Sequence, residues 1–318
     1  MSLRGTIALA PRDATFRHEA FFYAGEEEFV AGATAFVRHA LAAEEPVLVA
    51  VNAPKIALLR ESLNGDADEV RFADMSGFGR NPARIIPVWR EFVDEYEGRR
   101  VSGIGEPIGP DRRPEEMVEC QRHESLLNLA FADAAPLWLL CPYDTAGLEP
   151  SVIEEARRSH PFLADCANHR RSKVYRGLAD CAAPFDVPLP DPGTRPSQLT
   201  FRTGPLSEVR GWVSRQASRA DLAPARASDL VLAVHEIAAN SVRYGGGEAT
   251  LRTWFEGGTL IFEIEDRGHI HDPLAGRRRP GMDEGSGRGL WLANQLCDLV
   301  QVRSFITGTV VRLHMRGF

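Results

Sequence analysis

The chain has 318 residues, 44% hydrophobic and 25% charged, with a net charge of −7. That length admits two domains, and the composition is ordinary for soluble globular proteins. No apolar run approaches the roughly 20 residues that span a bilayer, and five scattered cysteines do not form a disulfide framework.

The first stretch carries no signal-peptide core. Arg12, Asp13, Arg17 and His18 come too early and too often. A cytoplasmic location without membrane attachment is expected. Residues 197–318 hold 15 Arg against 13 acidic residues, a net +2, which leaves −9 for the remainder of the chain. Neither half has the basic balance of a nucleic-acid binder. Lys55 and Lys173 are the only lysines. Lys55 follows Pro54 with no glycine loop, so the chain has no Walker-type phosphate grip.

Residues 1–165 read as alternating strands and helices. Strands are predicted at Glu19–Ala24, Pro46–Val51, Glu69–Ala73, Arg100–Ile104 and Leu137–Cys141. Helices are predicted at Glu26–Ala43, Pro54–Leu63, Pro82–Tyr96 and Pro114–Phe131. Such alternation implies a largely parallel sheet covered on both faces, with ligands at the carboxyl ends of its strands.

One group of polar residues stands out here. Glu124 and Asn128 are one helical turn apart, beside His123, and Glu106, Tyr143 and Asp144 fall at strand ends. Glu106, His123, Glu124, Asn128 and Tyr143 are candidates for one polar pocket. The competing reading is a satisfied buried network that ties the helix to a strand. Cys120-x-x-His123 and Cys166-x-x-His169 have metal-ligand spacing but stand as isolated pairs, and a packing role is the simpler reading.

The segments HEAFFY (18–23), GRNPARIIPVW (79–89), GIGEP (103–107), ECQRHESLLNLAF (119–131) and LLCPYD (139–144) resemble the MEDS sensory domain, named for methanogens and methylotrophs. The resemblance implies a RecA-like mostly parallel α/β domain without a nucleotide loop. It also implies a small organic ligand.

Residues 166–196 are expected as a linker. Pro184, Pro188, Pro190, Pro192 and Pro196 make it extended and semi-rigid.

The second domain is expected over 197–318. Ser228 is a candidate N-cap, with Asp229 suiting the positive first turn of the helix that follows. Leu230, Val234, Ile237 and Ser241 form its buried stripe. Glu236 and Asn240, four apart, share a neighbouring face. A carboxylate beside a carboxamide can orient a hydroxyl and ligate Mg²⁺ through oxygen. Gly245 to Gly247 end the helix. Ala249–Phe255 and Thr259–Glu265 around Gly257-Gly258 read as a β-hairpin that delivers Asp266 and Gly268 to a strand end. Gly285, Gly287 and Gly289 precede an apolar helix from Leu290 to Leu299, where backbone N–H groups can approach phosphates. A strand pair, Leu299–Phe305 and Gly308–Met315, closes the domain.

HEIAANSVRYG (235–245), EDRG (265–268) and GSGRGL (285–290), in that order, resemble the N, G1 and G2 boxes of GHKL ATP-binding domains. The resemblance implies a GHKL α/β sandwich, so the whole chain is expected as α/β plus α+β. It implies ATP and Mg²⁺ as cofactors. Glu236 would be a general base, Asn240 a Mg²⁺ ligand and Asp266 the adenine reader. Gly268 would allow the base close approach, and Gly285, Gly287 and Gly289 would wrap the phosphates. Arg288 departs from a pure glycine loop and either reaches a terminal phosphate or is solvated. Histidine kinases usually carry Asn where this chain has Glu236, and no upstream helical hairpin presents a phosphoacceptor His. The closest resemblance is to anti-sigma-factor serine kinases, with a sigma factor and an anti-sigma-factor antagonist as implied partners and a homodimer as an open possibility. A non-catalytic ATP-gated binding module, or a histidine-kinase-like sensor, would keep the same boxes.

Overall fold

The structure, a computed structural model, describes residues 16–133, 135–166, 168–281 and 287–317. The chain divides into two compact units, Met1–Pro82 with Val88–Ala183, and Ala83–Pro87 with Pro184–Phe318.

The first unit runs β1 (Arg17–Tyr23), α1 (Gly25–Ala42), β2 (Val47–Val51), α2 (Ala53–Leu63), β3 (Val70–Asp74), α3 (Met75–Phe78), α4 (Ile85–Glu95), β4 (Val101–Gly105), α5 (Pro114–Ala130), β5 (Leu137–Asp144), α6 (Pro150–Ser159), β6 (Phe162–Ala164) and β7 (His169–Arg171). The strands form one sheet in the order β3-β2-β4-β5-β1-β6-β7. All neighbours are parallel except β6 and β7. Every residue of β2, VLVAV, and of β4, VSGIG, is buried. Helices on both faces remove the polar alternation a half-exposed strand would show. Gly103 on β4 is required by packing: a Cβ there would lie 2.4 Å from the Trp89 ring, which is itself buried.

The five predicted strands and four predicted helices are present, with ends shifted by up to three residues. α6, β6 and β7 have no counterpart in the sequence reading. Strands of three residues give too little alternation to register. β7 falls inside the stretch expected as a linker and pairs with β6 from Phe162↔Arg171 to Ala164↔His169.

The second unit runs β8 (Ser197–Arg202), α7 (Ser207–Arg219), α8 (Pro224–Tyr244), β9 (Glu248–Glu256), β10 (Thr259–Asp266), α9 (Arg288–Leu296), β11 (Leu299–Phe305) and β12 (Gly308–Arg316). Its sheet is antiparallel in the order β11-β12-β10-β9-β8. Val213, Val234, Ile237 and Ala293 of the helices join Leu251, Phe262, Ile264 and Leu313 of the strands in one core. This is a two-layer α/β sandwich, as expected.

α8 begins earlier than the sequence reading placed it. Pro224 occupies the first turn, where its fixed φ suits a helix and its missing N–H costs nothing. Ser228 is therefore no cap; its hydroxyl donates to the Pro224 carbonyl at 3.0 Å. The stripe Leu230, Val234, Ile237 and Ser241 is buried throughout.

The other face of the sheet is polar yet covered. Arg312 donates to Glu263 at 2.8 Å and to the carbonyl of Pro190 at 2.8 Å. Buried Arg303 donates to the carbonyl of Val187 at 3.1 Å. Proline cannot donate, but its carbonyl accepts, and here arginines of the sheet take the carbonyls of Pro190 and of nearby Val187. Part of the proline-rich segment thus lies along its own domain.

In the first unit Glu19 is a buried carboxylate with several donors. It accepts from Trp138 Nε1 at 3.0 Å, His169 Nδ1 at 2.8 Å and Arg17 at 3.1 Å. Burial opposes its ionisation, but His169 and Arg17 outweigh it and hold the carboxyl below its usual 4.5. Its stabilising effect is therefore complete above about pH 4.5 and is lost as pH falls through the lowered value. Glu19→Ala should destabilise the protein by roughly 3 kcal/mol by leaving buried donors unpaired, measured by urea unfolding at neutral pH. The gap between variant and wild type should narrow on acidification.

Candidate functional site

The buried stripe of α8 fixes the rotation of that helix. Glu236 and Asn240 then stand half-buried at the edge of the core. Neither side chain makes a hydrogen bond among the described residues. The first turn of α9 closes over them. A Cβ on Gly289 would lie 2.8 Å from Asn240 Nδ2 and 3.2 Å from Glu236 Oε2. Any side chain at 289 would displace one of these groups. Gly287, with φ of +93°, turns the chain into α9. A helix N-terminus, with its unpaired N–H groups and positive dipole end, therefore adjoins a carboxylate and a carboxamide.

Asp266 ends β10. Its Oδ1 accepts from Gly268 N–H at 2.7 Å, and its Oδ2 makes no hydrogen bond among the described residues. The side chain lies against Gly245, where a Cβ would be 2.4 Å from Asp266 Cγ. Gly268 packs on the end of α8, and a Cβ there would stand 2.9 Å from the Tyr244 carbonyl. Thr309, which the sequence reading did not single out, donates to the Gly268 carbonyl at 2.9 Å. It fixes the turn on which Asp266 sits, but nothing marks it within an apolar strand sequence.

The structure thus brings Glu236, Asn240 and Gly289 together, and joins Asp266 and Gly268 in one turn. Gly285 lies outside the described residues. Arg288 is the exposed first residue of α9, with Nη2 3.4 Å from the Gly281 carbonyl. The segment between the second and third motifs is anchored on α9, where Asn294 Nδ2 donates to the Gly276 carbonyl at 3.0 Å. Arg277 of the triplet 277–279 is buried, whereas exposed Arg278 stands 3.3 Å from Asp272.

In the first unit the five pocket candidates fall into different surroundings. Glu124 and Asn128 are buried and both contact His18, at 3.1 Å each. His160 Nε2 is 3.2 Å from Glu124, Cys141 Sγ is 3.3 Å from His18, and the Tyr143 ring meets His160 edge-on at 5.6 Å. Burial pushes the His18 imidazole down to about 4, aided by His160, and pushes the Cys141 thiol up. His123 is buried on the same helix. Glu106 belongs to another cluster. It accepts from Lys55 at 2.5 and 2.7 Å and from Tyr23 at 2.8 Å. Burial raises its carboxyl pKa although Lys55 opposes the shift.

The sequence reading did not single out Tyr23, and it weighed Lys55 only as a phosphate grip. Tyr23 ends β1, Glu106 follows β4, and Lys55 lies in the first turn of α2, whose N-cap Asn52 accepts from the Lys55 N–H at 3.1 Å. A lysine without a glycine loop still carries a charge to the carboxyl edge of the sheet. The rarity of lysine in this chain was the available signal. The Cys-x-x-His pairs are otherwise engaged, with Cys120 donating to the Pro107 carbonyl and His169 bound to Glu19. A separate cavity of about 340 Å³ lies along α1 and β6, lined by Phe36, His39, Leu140, Ala164, Cys166 and His169 among others.

Comparison with known proteins follows this division. Residues 17–161 match the family model of the methanogen/methylotroph DcmR sensory domain, MEDS. Residues 199–315 match that of the histidine kinase-like ATPase domain. No curated protein matches the chain. Similar solved structures include the RsbU and RsbW domains of Rv1364c from Mycobacterium tuberculosis, at 20% identity and a TM-score of 0.30 over 39% of this chain. The chain covers 33% of that protein's length. Another is the Acinetobacter baumannii histidine kinase AdeS, at 13% identity and a TM-score of 0.23 over 39% of this chain and 69% of that one. The chain therefore joins a MEDS sensory domain to a histidine kinase-like ATPase domain.

Proposed function

We propose that this protein is a cytoplasmic one-chain regulator whose sensory domain controls a Mg-ATP-dependent serine/threonine kinase of the anti-sigma type. The observation that carries the nucleotide reading is the meeting of Gly289 with Glu236 and Asn240. A carboxylate oxygen suited to a hydroxyl proton and a carboxamide group suited to Mg²⁺ stand at a helix N-terminus suited to phosphate. No helix among the described residues is long and apolar enough to cross a membrane.

Bound ATP supplies the transferable phosphoryl group. Asn240 holds Mg²⁺ through its carbonyl oxygen. Asp266 Oδ2 accepts from the adenine amino group, while Oδ1 stays committed to Gly268. The N–H groups of residues 287–289 receive the phosphates, and Gly285 is proposed as a further phosphate contact. Arg288, exposed at the start of α9, adds positive charge beside them. Glu236 takes the proton of a serine or threonine hydroxyl on the partner. The kinase reading over a histidine-kinase one rests on Glu at 236, since a carboxylate can act as a base where Asn cannot. The partners proposed are a sigma factor and an anti-sigma-factor antagonist. A small organic compound is proposed as the sensory signal, taken at the carboxyl edge of the first sheet near Glu106, Lys55 and Tyr23.

Asn240→Ala in the full chain should weaken ATP binding in Mg²⁺ but change it little in EDTA, by calorimetry. Asp266→Ala should lower the preference for ATP over GTP. Wild-type behaviour of both variants would overturn the site. Glu236→Ala is the sharper test. A general base contributes about 10²- to 10⁴-fold to rate and little to ground-state binding. The variant should keep ATP affinity within a few-fold while transfer of labelled γ-phosphate to the antagonist falls by about two orders of magnitude or more. A wild-type protein that binds its partner in an ATP-dependent manner yet never phosphorylates it would establish a non-catalytic gate. Acid-labile phosphate on the chain itself would point to histidine-kinase chemistry.

A further inference from the structure

Four buried side chains of the sensory domain converge on one point. They are His18 on β1, Glu124 on α5, Cys141 on β5 and His160 at the end of α6. Their potential ligand atoms all lie within 4.8 Å of one another. His18 Nε2 is 3.1 Å from Glu124 Oε2, His160 Nε2 is 3.2 Å from the same oxygen, and Cys141 Sγ is 3.3 Å from His18 Nε2. Ligands held at about 2.0–2.3 Å by a tetrahedral metal stand roughly 3.3–3.5 Å apart. These three separations are at or slightly below such edges, and the others are at most 4.8 Å.

Hydrogen bonding behind the cluster fixes which way each imidazole faces. Asn128 Nδ2 donates to the carbonyls of Ser125 and Ser159, at 3.1 and 2.8 Å. Its Oδ1 therefore faces His18 Nδ1, which must donate to it at 3.1 Å. A flipped Asn128 would set its oxygen against two carbonyls. His160 Nδ1 donates to the Ala156 carbonyl at 2.8 Å. In a neutral imidazole the other nitrogen is then an acceptor. When both imidazoles are neutral, both Nε2 lone pairs face the Glu124 carboxylate, which also only accepts when ionised. The thiol of Cys141 brings one proton to three acceptors. His160 Nε2 is buried with no hydrogen-bond partner, despite its proximity to Glu124.

The geometry points to a closed structural metal site, His18–Glu124–Cys141–His160, for a divalent cation of the zinc class. A divalent cation is a common partner for all four groups. Two imidazoles, a carboxylate and a thiolate suit tetrahedral zinc, and the two negative charges cancel its own. The Nδ1 contacts of His18 and His160 are the outer-shell contacts that orient metal-binding imidazoles. Binding releases the Cys141 proton to solvent, as metal thiolates require. All four residues are fully or nearly fully buried, which leaves no open position for a reacting molecule. The site would staple β1, β5, α5 and the end of α6, whose ligands are spread from residue 18 to residue 160.

The test uses the untagged full chain, purified with Zn²⁺ and dialysed. Metal analysis should find about one Zn²⁺ per chain. The cobalt-substituted protein should show tetrahedral d–d bands and a thiolate-to-cobalt charge-transfer band. Cys141→Ser should abolish that charge-transfer band, and His160→Gln should cut zinc retention by at least about tenfold. A wild-type chain that retains no zinc, with a Tm that neither Zn²⁺ nor chelator moves, would overturn the site and leave a proton-shared network. Metal whose amount and spectrum are the same in both variants would lie elsewhere and overturn it equally. Should either variant fail to fold, the wild-type stoichiometry and cobalt spectrum decide alone.

Discussion

A close approach between backbone and side chains organises the ATPase domain. α9 must start where Gly289 touches Glu236 and Asn240, because its apolar residues Leu290 and Ala293 are committed to the core shared with α8. A side chain at 289 would force either the helix off the core or the polar pair out of place. Just past Asn240, at the C-terminal end of α8, the same constraint recurs. Gly245, Gly268 and Gly308 let three backbone segments meet around Asp266. Gly245, Gly268 and Gly289 of the motifs are thus contact residues first.

The sensory domain solves a different problem. Its sheet is buried on both faces, so charge must be paired inside or kept at the rim. Glu19, Glu124 and Glu106 show distinct solutions. Glu19 is saturated by an indole, an imidazole and a guanidinium. Glu106 is tied to Lys55 at the carboxyl edge, where the lysine is partly exposed to solvent. Glu124 faces groups that are themselves acceptors, and so calls for a cation.

Much of this was legible in the sequence, for identifiable reasons. α8 and the β9–β10 hairpin carry strong local signals: a four-residue apolar stripe, two glycines at the turn, alternation on either side. The strands of the first sheet were equally clear as short apolar runs between helical stretches. β6 and β7 were not, because three-residue strands have no period. The start of α8 was misplaced because Ser228 looks like a cap, and only the position of Pro224 within the first turn decides otherwise. The tetrad escaped notice for a topological reason. His18, Glu124, Cys141 and His160 share no spacing rule, and the parallel β1–β5 pairing that sets His18 opposite Leu139 is a long-range fact. The Cys-x-x-His pairs, which do have a spacing rule, are engaged elsewhere.

Those same long-range ties bear on how a signal leaves the sensory domain. β1 lies between β5 and β6 in the sheet, so His18 and Tyr23, at its two ends, belong to one rigid strand. Tyr23 contributes to the Lys55–Glu106 cluster at the carboxyl edge, and His18 to the buried tetrad near the amino edge. A staple at one end of the strand limits how far the other end can shift. Motion at the carboxyl edge is then left to groups off the strand, chiefly Lys55 on α2 and Glu106 after β4. Conformational response needs an element with two arrangements, and the salt bridge between those two is a polar contact there whose opening would supply the second.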